Sequence, residues 1–150
     1  MHDSRDDNRY QNHCMTIVLA DTDVHFRVRL KKRLEKLTGV QVVGESSDSE
    51  ETAAMILNRK PDIAILNSLL RDGRGIEVLR HIERLMVPPT IIVVTDDPSR
   101  DDHTTSSFAG ANFIFEKVTE DHKMINTIRL LCASHNQIGV PDSPLALLDD

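Results

Sequence analysis

The sequence predicts an α/β fold: a parallel five-stranded sheet with helices on both faces. Three observations predict it. Short apolar runs alternate with segments of helical periodicity along most of the chain. The runs Ile63–Leu66 and Ile91–Val94 are apolar throughout rather than every second residue, as befits strands buried on both faces. The links between runs are short, so each strand and helix form one β-α unit and the next strand lies parallel.

The elements follow in order. Thr16 to Ala20 (TIVLA) reads as the first strand and ends at Asp21. From Val24, the residues Phe26, Leu30, Leu34 and Leu37 recur at helical spacing, and Gly39 is placed to cap that helix at its C-terminus. Val40 to Gly44 (VQVVG) reads as the second strand. Ser47-x-x-Glu50 has the form of a capping box for a helix carrying Ala53, Ala54 and Leu57. Pro61 and Asp62 punctuate before the third strand, Ile63 to Asn67. A loop with Asp72, Gly73 and Gly75 leads into a helix with Ile76, Leu79, Ile82 and Leu85 on one face, ended by Pro88-Pro89. Thr90 to Thr95 is the fourth strand, and Asp96 to Asp102 a charged loop opening a weaker helix that ends near Gly110. The fifth strand runs from about Asn112 to Glu116 with Lys117 at its tip. A last helix from about Thr119 to His135 buries Met124, Ile125, Ile128 and Leu131.

With right-handed crossovers, five such units fit the flavodoxin-like, doubly wound strand order 2-1-3-4-5. The domain spans residues 15–135, between tails at 1–14 and 136–150 that carry no apolar periodicity sufficient for a core. Ligands of such sheets bind beyond the carboxyl ends of the strands, beside strands one and three. There the apolar strands end in polar residues: Asp21, Thr22 and Asp23 after strand one, Asn67 on strand three, Thr95 on strand four, and Lys117 after strand five. A carboxylate can hold a divalent cation, a hydroxyl can bind a phosphoryl oxygen and an ammonium can pair with it.

Composition bounds the function. The chain has 150 residues, a formal net charge of -6, two cysteines, four Phe, one Tyr and no Trp. That suits one domain with an Ile/Leu/Val core, and argues against a chain-wide electrostatic footprint for nucleic acid. The basic stretch Arg27 to Lys36 reads as a solvated helix face, with a docking face for an acidic partner as the sharper alternative. No run reaches the ~18 apolar residues of a membrane span, so a cytoplasmic location is expected, with Cys14 and Cys132 as free thiols. His2 and His13 lack ligand-like spacing. Nucleotide-binding glycine motifs are missing, and acids follow strand one where a flavin phosphate loop would need hydroxyls and glycines.

Over residues 15–135 the chain resembles response-regulator receiver domains of two-component signalling, of the type joined to helix-turn-helix output domains. The stretches VVGESSDSEETAAMILNRKPDIAIL, GRGIEVLRHI and FAGANFIFEK carry the resemblance. It implies an acidic pair after strand one that binds Mg²⁺, and an aspartate ending strand three that accepts a phosphoryl group from a histidine kinase. A Thr or Ser after strand four and a Lys after strand five read the phosphate. Asp21, Thr95 and Lys117 match. Thr22 falls on the second acid and Asn67 on the phosphoacceptor. Asp96 stands where a small residue is usual, Ile114 replaces the switch aromatic, Leu70-Arg71 replaces Met-Pro, and Val118 follows the lysine where proline is common.

A neutral carboxamide is a poor nucleophile and gives no normal acyl phosphate. Two carboxylates replaced by neutral groups leave Asp21 and Asn67 as a weak or absent Mg²⁺ site, unless Asp23 or Asp72 compensates. Lys117 is then expected to pair with Asp21 and to contact the Asn67 carbonyl without metal. The expected function is that of a degenerate pseudo-receiver, not an enzyme and without a cofactor. It would act on a signalling partner (a histidine kinase or downstream regulator) or on a second copy, through strand five or the first and last helices, with no direct contact to nucleic acid or membrane. The alternatives are a phosphorelay receiver with atypical chemistry, for instance after deamidation at Asn67-Ser68, and a cofactor-binding flavodoxin-like protein. The fifteen residues after 135 are too few for a helix-turn-helix domain.

Overall fold

The computed structural model describes residues 15–96 and 110–138. The tail expected at 1–14, Cys14, the helix expected after Asp96 and residues 139–150 of the tail expected at 136–150 lie outside the described residues; residues 136–138 of that tail instead continue the last helix. Five parallel strands form the sheet: β1 (Met15–Ala20), β2 (Val40–Ser46), β3 (Ile63–Asn67), β4 (Thr90–Thr95) and β5 (Phe113–Glu116). Their order is β2-β1-β3-β4-β5, the doubly wound arrangement. Four described helices join them: α1 (Val24–Glu35), α2 (Ser49–Arg59), α3 (Ile76–Ile82) and α4 (Asp121–Ile138). A separate antiparallel ribbon, Leu69–Leu70 with Gly73–Arg74, follows β3.

The strand pleat divides the core in two. Ile17, Leu19, Ile63, Ile65, Ile92 and Val94 point to one face, against Phe26, Leu30 and Leu34 of α1 and Met124, Ile125 and Ile128 of α4. Val18, Ala20, Ala64, Leu66, Ile91 and Val93 point to the other, against Ile56 of α2 and Val78 and Ile82 of α3. Full burial of each such side chain contributes roughly 1.5–3 kcal/mol, so continuous apolar strands are what a two-faced sheet selects. β2 carries an extra residue opposite the Ile17/Val18 step, since Val42 pairs with Ile17 and Gly44 with Val18. Beyond it, the Ser46 carbonyl accepts from Asp21 N–H at 3.0 Å and helps fix the turn at the end of β1.

Several boundaries differ from expectation. The N-cap of α2 is Asp48, not Ser47: its carboxylate accepts from Glu51 N–H at 2.7 Å. Asp and Ser cap comparably well, and the carboxylate also favours the positive helix end. α3 ends at Ile82, well before Pro88-Pro89, while Leu85 continues as a turn with its N–H on the Ile82 carbonyl. α1 ends at Glu35, and Gly39 takes a positive φ of 81° in the turn that follows. Leu131 is partly buried at the edge of the first core, and Cys132 is buried with Sγ 3.7 Å from the Thr38 carbonyl oxygen.

Candidate functional site

The register of the central strands β1, β3 and β4 brings the residues at their carboxyl ends together. Asp21, Asn67 and Thr95 are each about 2 % exposed, and neighbouring Ser68 is also buried. Burial at the carboxyl ends of central strands fixes these groups but also demands that each polar atom find a partner.

Asp21 is the hub. Its Oδ1 accepts from Asp23 N–H at 2.8 Å and from Lys117 Nζ at 3.2 Å. Its Oδ2 lies 2.9 Å from Lys117 Nζ and accepts from Asn67 Nδ2 at 2.9 Å. The Asn67 carbonyl oxygen accepts from Leu69 N–H at 2.9 Å, so it turns toward its own loop rather than toward Lys117 as expected. An asparagine oxygen two residues before a free N–H closes a local Asx turn at little entropic cost. Lys117 is placed by β5, its backbone N–H donating to the Thr95 carbonyl at 2.9 Å. Its ammonium also sits 4.3 Å from the centroid of the Phe26 ring. Phe26 belongs to the apolar stripe of α1, and nothing in its spacing distinguishes this role from ordinary core packing.

The remaining acids are arranged differently. Thr22 is exposed. Asp23 caps α1, accepting from Phe26 N–H at 3.1 Å, and its Oδ2 lies 4.0 Å from Lys117 Nζ. That backbone hydrogen bond is the main reason its carboxyl titrates below the usual range, with Lys117 adding to the effect. Asp96 Oδ1 is 3.5 Å from Lys117 Nζ. Asp72 points elsewhere: it accepts from Ser49 N–H at 2.6 Å, from Ser49 Oγ and from Glu50 N–H, at the N-terminus of α2. The Ser49 backbone bond is the largest cause of its lowered pKa. Its neighbour Arg71 donates its N–H to the Ser47 carbonyl and lies 3.9 Å from Asp48. The loop that stands in place of Met-Pro is thus stapled to the start of α2.

Ile114 is half-buried on β5 and packs on the α2/α3 side, whereas Phe113 and Phe115 stack at 6.1 Å on the α1/α4 side. Three residues of the basic stretch pair within the chain: Arg27 and Lys31 with Glu45, and Arg33 with Asp121. For Asp121, burial raises the carboxyl pKa, but the hydrogen bond and charge of Arg33 outweigh it and the net direction is down.

A doubly wound parallel sheet with Asp21, Asn67, Thr95 and Lys117 gathered at the carboxyl ends of its strands is the architecture of a receiver-type signalling module. The chain belongs to the response regulator receiver domain family, whose model matches residues 17–129. Among curated relatives, it is 27% identical over 113 residues to the transcriptional regulatory protein LiaR of Bacillus subtilis (strain 168), covering 75% of this chain and 54% of that protein. It is 28% identical over 81 residues to the sensory transduction protein LytT of Bacillus anthracis, covering 54% of this chain and 33% of that protein. The chain therefore spans a third to about half the length of these two relatives. Its fold resembles that of a LuxR-family two-component response regulator from Aurantimonas sp. SI85-9A1, with a TM-score of 0.70, 24% identity, and coverage of 81% of this chain and 86% of that one. It also resembles the response regulator domain of Thermotoga maritima CheB, with a TM-score of 0.69, 18% identity, and coverage of 87% and 100%.

Receiver domains are signalling modules that interact with histidine kinases and output domains, and they bind Mg²⁺ at the phosphorylation site. The donors present here do not fit that ion. Mg²⁺ asks for near-octahedral oxygen ligands, one or two of them carboxylates. The one buried carboxylate, Asp21, already faces the Lys117 ammonium at 2.9 Å. Asn67 presents N–H to it and turns its oxygen away. Among the described residues, no three His, Cys, Asp or Glu side chains gather as a metal site. Likewise, no helix among them is long and apolar enough to cross a membrane.

Proposed function

We propose that this chain is a pseudo-receiver: a receiver-fold module that works in the cytoplasm by protein-protein contact, without phosphorylation at position 67 and without Mg²⁺. The observation that carries the reading is the state of Asn67. It is neutral and buried, and both ends of its amide are engaged, with Nδ2 on Asp21 and the oxygen on Leu69 N–H. No lone pair of nucleophilic strength faces solvent, and an amide could not carry a normal acyl phosphate if one did. Lys117 fills the cationic role beside Asp21. With two acids of the usual cluster replaced by neutral groups, the Lys117 ammonium is enough to balance Asp21 without metal.

Conversion of Asn67 to aspartate through its own backbone is opposed by the same geometry. Deamidation needs the Ser68 nitrogen to attack the Asn67 side-chain carbon. That N–H instead donates to the Val94 carbonyl at 2.9 Å, in a buried strand extension. The test is incubation with acetyl phosphate and Mg²⁺ followed by intact-mass measurement. The expected outcome is an unchanged mass; a stoichiometric, hydroxylamine-labile gain of one phosphoryl group would overturn the reading.

A further inference from the structure

The basic stretch of α1 is only partly engaged within the chain. Arg27 and Lys31 pair with Glu45, and Arg33 with Asp121. Glu35 turns to β2, where its carboxylate accepts from Val42 N–H at 3.3 Å. Arg29, Lys32 and Lys36 are exposed and form no ion pair among the described residues. At i, i+3 and i+7 they make one row on the outer side of the helix. Val24 and Val28, one turn apart, continue that side toward the helix N-terminus, 55 % and 44 % exposed. Helix α2 carries the opposite pattern. Its exposed acids Glu50 and Glu51 come first and also form no ion pair among the described residues. Ala54 and Leu57 follow Glu50 at i+4 and i+7 on the same side, with Leu57 44 % exposed. From N- to C-terminus, α1 thus runs from apolar to cationic and α2 from anionic to apolar.

We propose that α1 of one copy packs antiparallel on α2 of a second copy of this chain. In that orientation Lys32 meets Glu50 and Glu51 while Val28 meets Ala54 and Leu57. A parallel pairing would set the cations on Leu57 and the valines on the acids, leaving charge facing apolar surface. Two-fold contacts of α1 with α1, or of α2 with α2, would bring like charges together. Charge complementarity therefore selects the unlike pair. The two helices cover opposite faces of the sheet, so one molecule cannot close the pair on itself. Each added copy leaves α1 free at one end and α2 free at the other, the mark of a heterologous contact. A face of 12 residues against one of 11 is small for an interface, so the association is weak and reversible. The inference goes beyond the pseudo-receiver reading and does not depend on the state of Asn67.

The test is sedimentation velocity of the full 150-residue chain from micromolar to millimolar concentration, with a charge swap. At low salt the parent is expected to pass from monomer to dimer and larger species as concentration rises. It should return to monomer at about 0.5 M NaCl, where the Debye length falls to about 4 Å. The variants R29E/K32E and E50K/E51K each carry like charges on both helices and should stay monomeric alone. All four positions are exposed, so both variants should melt with the parent. Mixed in equal amounts, they present opposite charges again and should regain the parent's association, which a general effect of net charge would not produce. Without any variant, the parent's amide shifts should move with concentration along α1 and α2. A parent that stays monomeric at millimolar concentration and low salt, a single variant that associates like the parent, a mixture that stays monomeric, or shifts confined to other elements would overturn the proposal. A parent labelled by acetyl phosphate that still associates would overturn the pseudo-receiver reading alone. An unlabelled parent that stays monomeric would overturn the contact alone.

Discussion

The floor and the rim of the site sit a few ångströms apart and are built on opposite terms. On the floor, Asp21, Asn67 and Thr95 are each about 2 % exposed, and Asp21 alone takes part in four polar contacts. On the rim, Thr22, Asp23, Asp96 and Val118 are exposed, and the carboxylates reach Lys117 only at 3.5–4.0 Å. A buried group without its partner costs several kcal/mol, while an exposed one costs little. The floor can therefore change only by substitutions that keep its hydrogen bonds closed, and asparagine for aspartate is such a change. The rim is free to be remodelled for a partner.

The sharpest way to break this contrast is Asp21→Ala. It strands the buried Asn67 amide N–H and leaves the Lys117 ammonium only the exposed Asp23 and Asp96 carboxylates at 4.0 and 3.5 Å, and should cost about 2–4 kcal/mol in urea unfolding. Joint replacement of Asp21 and Lys117 by apolar residues should cost less than the sum of the single changes, the signature of a coupled pair.

Next is Asn67→Asp, which puts a second carboxylate where Nδ2 now lies 2.9 Å from Asp21 Oδ2. Repulsion should cost roughly 1–3 kcal/mol at pH 7. The sign follows from linkage. Two such acids share a proton in the folded state, so one folded pKa is raised. The variant should regain stability as pH falls toward that pKa and lose it as pH rises through it. Millimolar Mg²⁺ should raise the melting temperature of this variant and leave the parent unchanged.

A smaller effect belongs to the capping acids. Asp23 and Asp72 have folded pKa values below 3.8, so they contribute stability that is present above that value and lost as pH falls through their folded pKa. Thermal melts should be flat from pH 7 to about 5 and decline below about 4. Asp72→Asn should remove much of the Asp72 share of that decline at little cost, whereas Asp72→Ala should lower the midpoint at every pH. The smallest effects belong to the rim: Val118→Ser and Leu69→Ser, both at exposed positions, should stay within about 0.5 kcal/mol of the parent.

The same contrast governs what could be read in the sequence. β3 and β4 end where expected because continuous apolar runs bounded by Pro61-Asp62 and Pro89 leave little choice of register. Asp21, Asn67, Thr95 and Lys117 were legible because each interrupts or ends an apolar strand, and the fold brings three of them into one network and Thr95 into its wall. What depended on distant contacts was not legible. Asp72 reads as a loop acid until α2 is seen to present two N–H groups to it across more than twenty residues. The turn of the Asn67 oxygen toward Leu69 is a local choice between two available partners, and spacing cannot decide it. Pro88-Pro89 reads as the end of α3, but past Leu85 the residues Met86 and Val87 lie exposed, so little packing holds the last turn helical.

The central claim is that the floor is closed to phosphoryl transfer because of Asn67. Its most direct measurement is intact mass after acetyl phosphate and Mg²⁺, with the parent and Asn67→Asp treated side by side. The account predicts an unmodified parent, whatever the variant does. A labile, stoichiometric phosphoryl group on the parent would contradict it.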